Sequence, residues 1–245
     1  MKISQAKQFG SELANIVHTG DHLVAMEMLT PLLSQRIPFK ATGAIGEVIG
    51  SGPIDTTNHF LSCVADTKAE GAWPIIGMAL YAQLDRDFFG AFNRCRDFII
   101  DGDIWYCADI LSERVPGPAL LYDFPSSLEQ LIIWREHNNA WVRRSVGVAV
   151  HFWGKRTKGK QESQLQAVQL LDLLRPLFTE NEMNAVKGIG WGIKTIGRYY
   201  PDLVADWLIN EVNPIHNQFR SIMLNKSIKF LPSDLQDRVL SSIKP

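Results

Sequence analysis

The sequence predicts an all-α protein, an α–α superhelix of HEAT/armadillo-like helical repeats, on three observations. Apolar residues recur with the 3.6-residue period of helices, while the alternating period of strands is scarce. Glycine, proline and small polar residues punctuate these runs at short intervals. Finally, Asn139-Ala140-Trp141-Val142-Arg143 returns as Asn184-Ala185-Val186-Lys187, 45 residues further on. That spacing lies within the roughly 40–47-residue period of such repeats. The 245 residues are therefore read as a single domain, 1–245, whose stacked helix pairs leave one continuous concave face.

In chain order, the periodicity places helices at 5–17, 21–34, 57–66, 73–82, 86–99, 103–114 and 126–136. The second half adds 139–154, 162–176, 180–200, 202–210, 215–230 and 233–243. Pro116-Gly117-Pro118 reads as a stop after the sixth helix, Gly154 as another, and Pro201 as the end of the segment holding Trp191. Thr179 with Glu182 three residues later is a capping-box pattern, placing a helix start there. The glycine-rich stretch from Phe39 to Pro53 lacks the Gly-Lys-Ser/Thr of a phosphate loop and follows no strand, so it is read as a turn between helix pairs. The inner helices of the array begin near 103, 139 and 180.

The formal net charge of −1 hides a strong division. Residues 1–130 carry 9 Lys and Arg against 16 Asp and Glu, and residues 131–245 carry 16 against 10. A basic second half implies a surface that engages an anion, with the acidic half maintaining solubility. The run 141–160 concentrates this, with Arg143, Arg144, Lys155, Arg156, Lys158 and Lys160 and no acid. Its alternatives are a solvated basic face and a patch holding a nucleic-acid backbone.

Cys63, Cys95 and Cys107 are odd in number and show no Cys-x-x-Cys spacing, which points to reduced thiols. The first residues, MKISQAKQFG, lack the apolar run of a signal peptide. The longest apolar stretches are of about ten residues, too short to span a bilayer. A cytoplasmic monomer with no membrane association is expected. His18, His22, His59, His137, His151 and His216 form no ligand-spaced set, so neither a metal nor a cofactor is expected.

Two helix faces are unusual. Trp105 and Asp109 stand one turn apart, placing an indole beside a carboxylate. Lys187, Trp191, Lys194 and Arg198 form a second stripe, on a helix whose other side already carries Val186, Ile189, Ile193, Ile196 and Tyr200. The stripe is thus free to face a ligand, and rings, a carboxylate and clustered cations together suit a polyanion with a cationic centre. Gly188, Gly190, Gly192 and Gly197 surround Trp191, each costing around 1 kcal/mol in a helix. They signal either tight helix packing or the close approach of a ligand.

The combination of Trp105-x-x-x-Asp109, Asn139-x-Trp141-x-x-Arg144 and Gly188-Ile189-Gly190-Trp191 running into Tyr200-Pro201-Asp202 resembles the AlkD-type DNA alkylation repair enzymes, HEAT-like-repeat DNA glycosylases. The resemblance is best over about 95–210. It implies that Asp109 is the catalytic carboxylate, that Trp105 and Trp191 cradle the lesion-bearing nucleotide, and that Arg144 grips the backbone. It further implies a concave DNA-binding face and monofunctional excision of cationic N3- or N7-alkylated purines from double-stranded DNA, in base excision repair and without a deep base-flipping pocket. Arg143, Lys155, Arg156, Lys187, Lys194 and Arg198 complete the expected DNA contacts. A further aromatic that the resemblance implies in the second helix is absent: Leu32 to Arg36 holds no Tyr or Trp. The alternative reading is a non-catalytic HEAT-like-repeat module that binds DNA of particular shape or a protein.

Overall fold

The structure, a computed structural model, describes residues 1–212 and 218–242. It is all-helical among the described residues, and the chain divides into two compact units, Met1–Val115 and Pro116–Pro245. The predicted helix from 215 and the last residue of the helix ending at 243 lie partly outside the described residues, as does His216.

The first unit holds α1 (Ile3–His18), α2 (His22–Leu33), α3 (Phe39–Gly50), α4 (Ile54–Asp66), α5 (Ala72–Tyr81), α6 (Phe88–Gly102) and α7 (Trp105–Ser112). One row packs α1 on α3, α3 on α5 and α5 on α7, with α2, α4 and α6 behind it. α5 is the centre of this core, with Trp73, Ile75, Ile76, Ala79 and Leu80 all fully buried. Side-chain oxygens start several of these helices by accepting otherwise unmet backbone N–H groups: Asp21 from Val24, and Asp87 from Gly90.

The second unit holds α8 (Pro116–Tyr122), α9 (Phe124–Arg135), α10 (Ala140–Thr157), α11 (Gln164–Leu174), α12 (Met183–Tyr199), α13 (Pro201–Trp207), α14 (Arg220–Ser227) and α15 (Ser233–Ser242). Here α8, α10, α12 and α14 pack in sequence, with α9, α11 and α13 behind. α10 is the central helix, and Val142, Val146, Val148, Ala149, Val150 and Trp153 disappear into the core. Asn139 caps it, its Oδ1 accepting from the N–H groups of Trp141 and Val142.

Four expectations change. Phe39 to Pro53 is not a turn but mostly helix α3, because its glycines serve close packing. A Cβ at Gly46 would lie 2.0 Å from the Ile75 carbonyl oxygen, and one at Gly50 would lie 2.3 Å from that of Ala79. Pro116 does not simply stop a helix; it opens α8, since the first helical position has no N–H to lose. Gly154 does not end α10, which continues to Thr157 and stops where Lys158 and Gly159 take positive φ of 51° and 76°. The capping box at Thr179 does not form: Thr179 closes a 3₁₀ turn (Arg175–Thr179), donates to the Pro176 carbonyl, and leaves Glu182 as the N-cap residue of α12.

Candidate functional site

The indole–carboxylate pair of the first unit is set up by an abrupt turn. Lys68 Nζ donates to the Asp101 carbonyl at the end of α6. Asp103 then adopts the left-handed region, φ 46°, which Asp tolerates better than most residues. Ile104 is extended, and Trp105 opens α7. Asp101 and Asp103 finish α6, and Ile104 is the N-cap residue of α7. Cys107, Ala108, Ile110, Leu111 and Ser112 point into the core. Trp105, one turn before Asp109, is left 57% exposed, its ring meeting that of Tyr106 edge-on at 5.7 Å. Asp109 is half-buried on the same face. The pair thus presents an indole and a carboxylate on one face of α7.

In the second unit, α10 and α12 run side by side in parallel register. A Cβ at Gly147 would meet the Gly188 carbonyl oxygen at 2.3 Å, and one at Gly192 would lie 2.7 Å from the carbonyl oxygen of Gly147. Gly188 sits equally close to the Arg144 backbone, at 2.5 Å. Tight helix packing therefore accounts for these glycines, and Gly190 and Gly197 admit the side chains of Lys226 and Leu231. The close approach of a ligand beneath Trp191 is not their purpose.

The apolar side of α12 is as expected, with Val186, Ile189, Ile193, Ile196 and Tyr200 all buried. On its other side Trp191 is half-buried, and its ring stacks on that of His151 at 3.9 Å. Lys187 is exposed, while Lys194 and Arg198 reach over the Phe230 ring at 4.6 and 5.2 Å. Burial, and then the neighbouring Lys229, lower the pKa of Lys194. Lys155 and Arg156 are exposed in the last turn of α10, with Arg156 lying over Phe152. Lys155 and Lys194 both act on His151, the ring on which Trp191 stacks.

The two adjacent arginines of α10 are held differently from the others. Arg143 makes a two-pronged ion pair with Glu180, Nε to Oε2 at 2.5 Å and Nη2 to Oε1 at 2.9 Å. Its Nη1 donates to the carbonyls of His137 and Asn138. The Glu180 hydrogen bond raises the pKa of Arg143 further. Glu180, its side chain 4% exposed, also accepts from the N–H groups of Asn181 and Glu182 and so shapes the entry to α12. Arg144 is only 7% exposed, and its Nη1 donates to the Asn184 carbonyl. Both arginines thus fasten α10 to the start of α12.

Among the described residues no group of three His, Cys, Asp or Glu could hold a metal ion. No described helix is long and apolar enough to cross a membrane. The three cysteines are unbridged. Cys95 and Cys107 are buried, and burial pushes both thiols well up.

Sequence reasoning missed His151 and Phe230. The repeat echo held the signal for His151: Gly147 and Gly192 are 45 residues apart and touch, so one turn onward His151 must face Trp191 and Thr195.

No curated protein matches the chain in sequence. Among solved structures, it superposes on the Pseudomonas fluorescens alkylpurine DNA glycosylase AlkC, bound to DNA containing an abasic site analog. The TM-score is 0.65 at 15% identity, over 96% of this chain and 66% of that one, so the chain spans just under two thirds of the AlkC length. The fold is therefore that of a helical-repeat protein of this kind. The sequence pattern of the DNA alkylation repair enzymes matches residues 72–231, well over half the chain and inclusive of every residue placed above in α5 through α14. By that match the chain belongs to the DNA alkylation repair enzyme family.

Proposed function

We propose that the chain is a monofunctional DNA glycosylase of the AlkD-like kind, excising cationic N3- or N7-alkylated purines from duplex DNA. The observation that carries this reading is the exposed Trp105 beside Asp109 on α7. The family, and the activity named for AlkC, support it.

The chemistry asks little of the protein. A purine alkylated at N3 or N7 is positively charged and already a good leaving group, so no strong general acid is needed. As the glycosidic bond breaks, positive charge develops on the sugar, as in glycoside hydrolysis. The Asp109 carboxylate stabilises that charge and orients the attacking water. The faces of Trp105 and Trp191 attract cationic sugar and base edges by around 0.5–2 kcal/mol each. An indole as exposed as Trp105 meets its ligand at the surface, which suits excision without the deep pocket that most base-flipping enzymes use. Lys155, Lys187, Lys194, Arg198 and Arg156 supply phosphate contacts from the second unit, while Arg143 and Arg144 act through α12.

The test is release of free 3-methyladenine and 7-methylguanine from alkylated duplex by the purified protein, under single turnover. Asp109→Asn keeps the shape and removes the charge, and should slow excision on the order of 10²–10³-fold. Binding to alkylated duplex should survive. If Asp109→Asn excises at the wild-type rate, Asp109 is not the catalytic carboxylate. If the wild-type protein binds alkylated duplex and releases no base, the chain is a binding module.

A further inference from the structure

His151 does no work in the chemistry above, yet it is one of the most constrained side chains of the second unit. It stands on α10, one turn before Lys155, and is 6% exposed. Its ring lies 3.9 Å from that of Trp191, with 26° between the planes. Its Nδ1 is 2.6 Å from Thr195 Oγ1. Thr195 in turn donates to the Trp191 carbonyl at 3.0 Å, so its only hydroxyl proton is used. The bond to His151 must therefore run from Nδ1–H to the hydroxyl oxygen. That fixes the tautomer and leaves Nε2 as a bare acceptor, and Nε2 is buried with no partner.

A ring packed only for bulk would not be built this way. Phenylalanine would fill the space without an unmet acceptor, and a buried polar atom without a partner calls for a reason. The hydrogen bond supplies one: it ties the imidazole edge to α12, the helix that carries Trp191, so the stack cannot slide. The charge state supplies another. Burial first, then Lys155 and Lys194, push the His151 pKa down to about 4, so the ring is neutral at physiological pH. An imidazolium on one face of an indole would draw on the same π-electrons that a cation on the other face needs. A neutral plate leaves them available.

We propose that His151 is a positioning residue for Trp191: tied at one edge by Thr195, it backs the indole and fixes the plane in which that ring meets a cationic nucleotide. The inference rests on the reading of Trp191 as a ring that contacts damaged DNA. The stack itself, however, is measurable without DNA.

Three variants separate the parts. His151→Ala removes the plate, Thr195→Val removes the tie, and His151→Phe restores a neutral plate without the tie. Time-resolved fluorescence anisotropy of each free protein, with its own Trp191→Phe version subtracted, reports the motion of Trp191. Affinity for duplexes with and without a single 7-methylguanine then reports discrimination. In His151→Ala the Trp191 signal should depolarise faster and discrimination should fall about tenfold, with most of both restored in His151→Phe. Thr195→Val should give the same changes, smaller, in a fold that keeps its core. Wild-type ring order in both His151→Ala and Thr195→Val would overturn the proposal. A ring that loosens while discrimination stays at the wild-type level would uphold the positioning role and overturn the DNA-contacting role of Trp191 instead.

Discussion

The helix pair α3–α5 in the first unit and the pair α10–α12 in the second are joined by the same device. In each, glycines one turn apart let one helix lie against the backbone of the next: Gly46 and Gly50 against Ile75 and Ala79, and Gly188 and Gly192 against Arg144 and Gly147. What differs is what the close packing is used for. In the first pair it completes a core, since α5 is buried on nearly every side. In the second it brings residues on separate helices into direct contact, stacking His151 on Trp191 and laying Arg144 against the first turn of α12. Glycine in a helix is costly, and one packing solution here serves stability in one place and the placement of functional groups in the other.

The largest effects should come from filling the contacts themselves. Gly46→Ala and Gly147→Ala each set a Cβ against a carbonyl oxygen that cannot move alone, at 2.0 and 2.3 Å. Each should cost more than the about 1–3 kcal/mol usual for overpacking. Hydrogen exchange should show protection lost first within Met1–Val115 for Gly46→Ala and within the second unit for Gly147→Ala. Gly190→Ala is the contrast, because its Cβ meets only the flexible Lys226 side chain, at 2.9 Å. A urea midpoint for Gly147→Ala close to that of Gly190→Ala would break the parallel between the two pairs.

Next in size is the ion-paired fastening of the second pair. Arg143→Ala takes the guanidinium from the buried Glu180 carboxylate, which keeps its backbone N–H donors, and should cost about 2–3 kcal/mol in denaturant unfolding. Its effect on DNA should be indirect, with weaker binding but an unchanged salt slope, because the guanidinium is engaged with Glu180. A slope that flattened would make Arg143 a phosphate ligand.

The neutral His151 links the second pair to pH. Its pKa is about 4 when folded against about 6.5 in an unfolded chain, so the unfolded state binds more protons between these values. The stability from a neutral His151 is therefore complete above pH 6.5 and lost as pH falls towards 4, by at most about 1.4 kcal/mol per pH unit. Lys155 and Lys194 are the cations that act on it. Comparing pH–stability curves of the wild type and His151→Phe isolates this contribution, and curves that run parallel from pH 7 to 4 would remove it. The smallest effect on stability belongs to Lys155→Ala, within about 0.5 kcal/mol for an exposed side chain. It should nevertheless reduce the salt slope of duplex binding by about one.

The same pairs show how far the residues alone could be read. Features contained within one helix were legible: Trp105 beside Asp109, and the apolar side of α12 opposite its cation stripe. So was the helical fold itself, since periodicity is local. Helix α3 was obscured because its glycines resemble a loop until a partner backbone is placed against them. The role of Arg143 was obscured because its partner Glu180 is 37 residues away and belongs to no motif. The stack of His151 on Trp191 needs the register of two helices, which only the 45-residue echo hinted at. Local patterns name the candidate groups, and long-range packing decides which are free to act.

The burial of two of the three thiols has a bearing on the conditions under which alkylation repair takes place. Agents that methylate purines are electrophiles, and thiolates are better nucleophiles than thiols. A protein working where such agents are present is open to the same electrophiles at its own thiols. Cys95 and Cys107 are shielded on both counts, being closed off from solvent and held protonated well above the ordinary thiol range. Only Cys63, half-buried on α4, has surface open to attack, and it lies outside α7, α10 and α12. Alkylation of the protein's thiols by such agents would therefore fall first on a residue its proposed chemistry does not use.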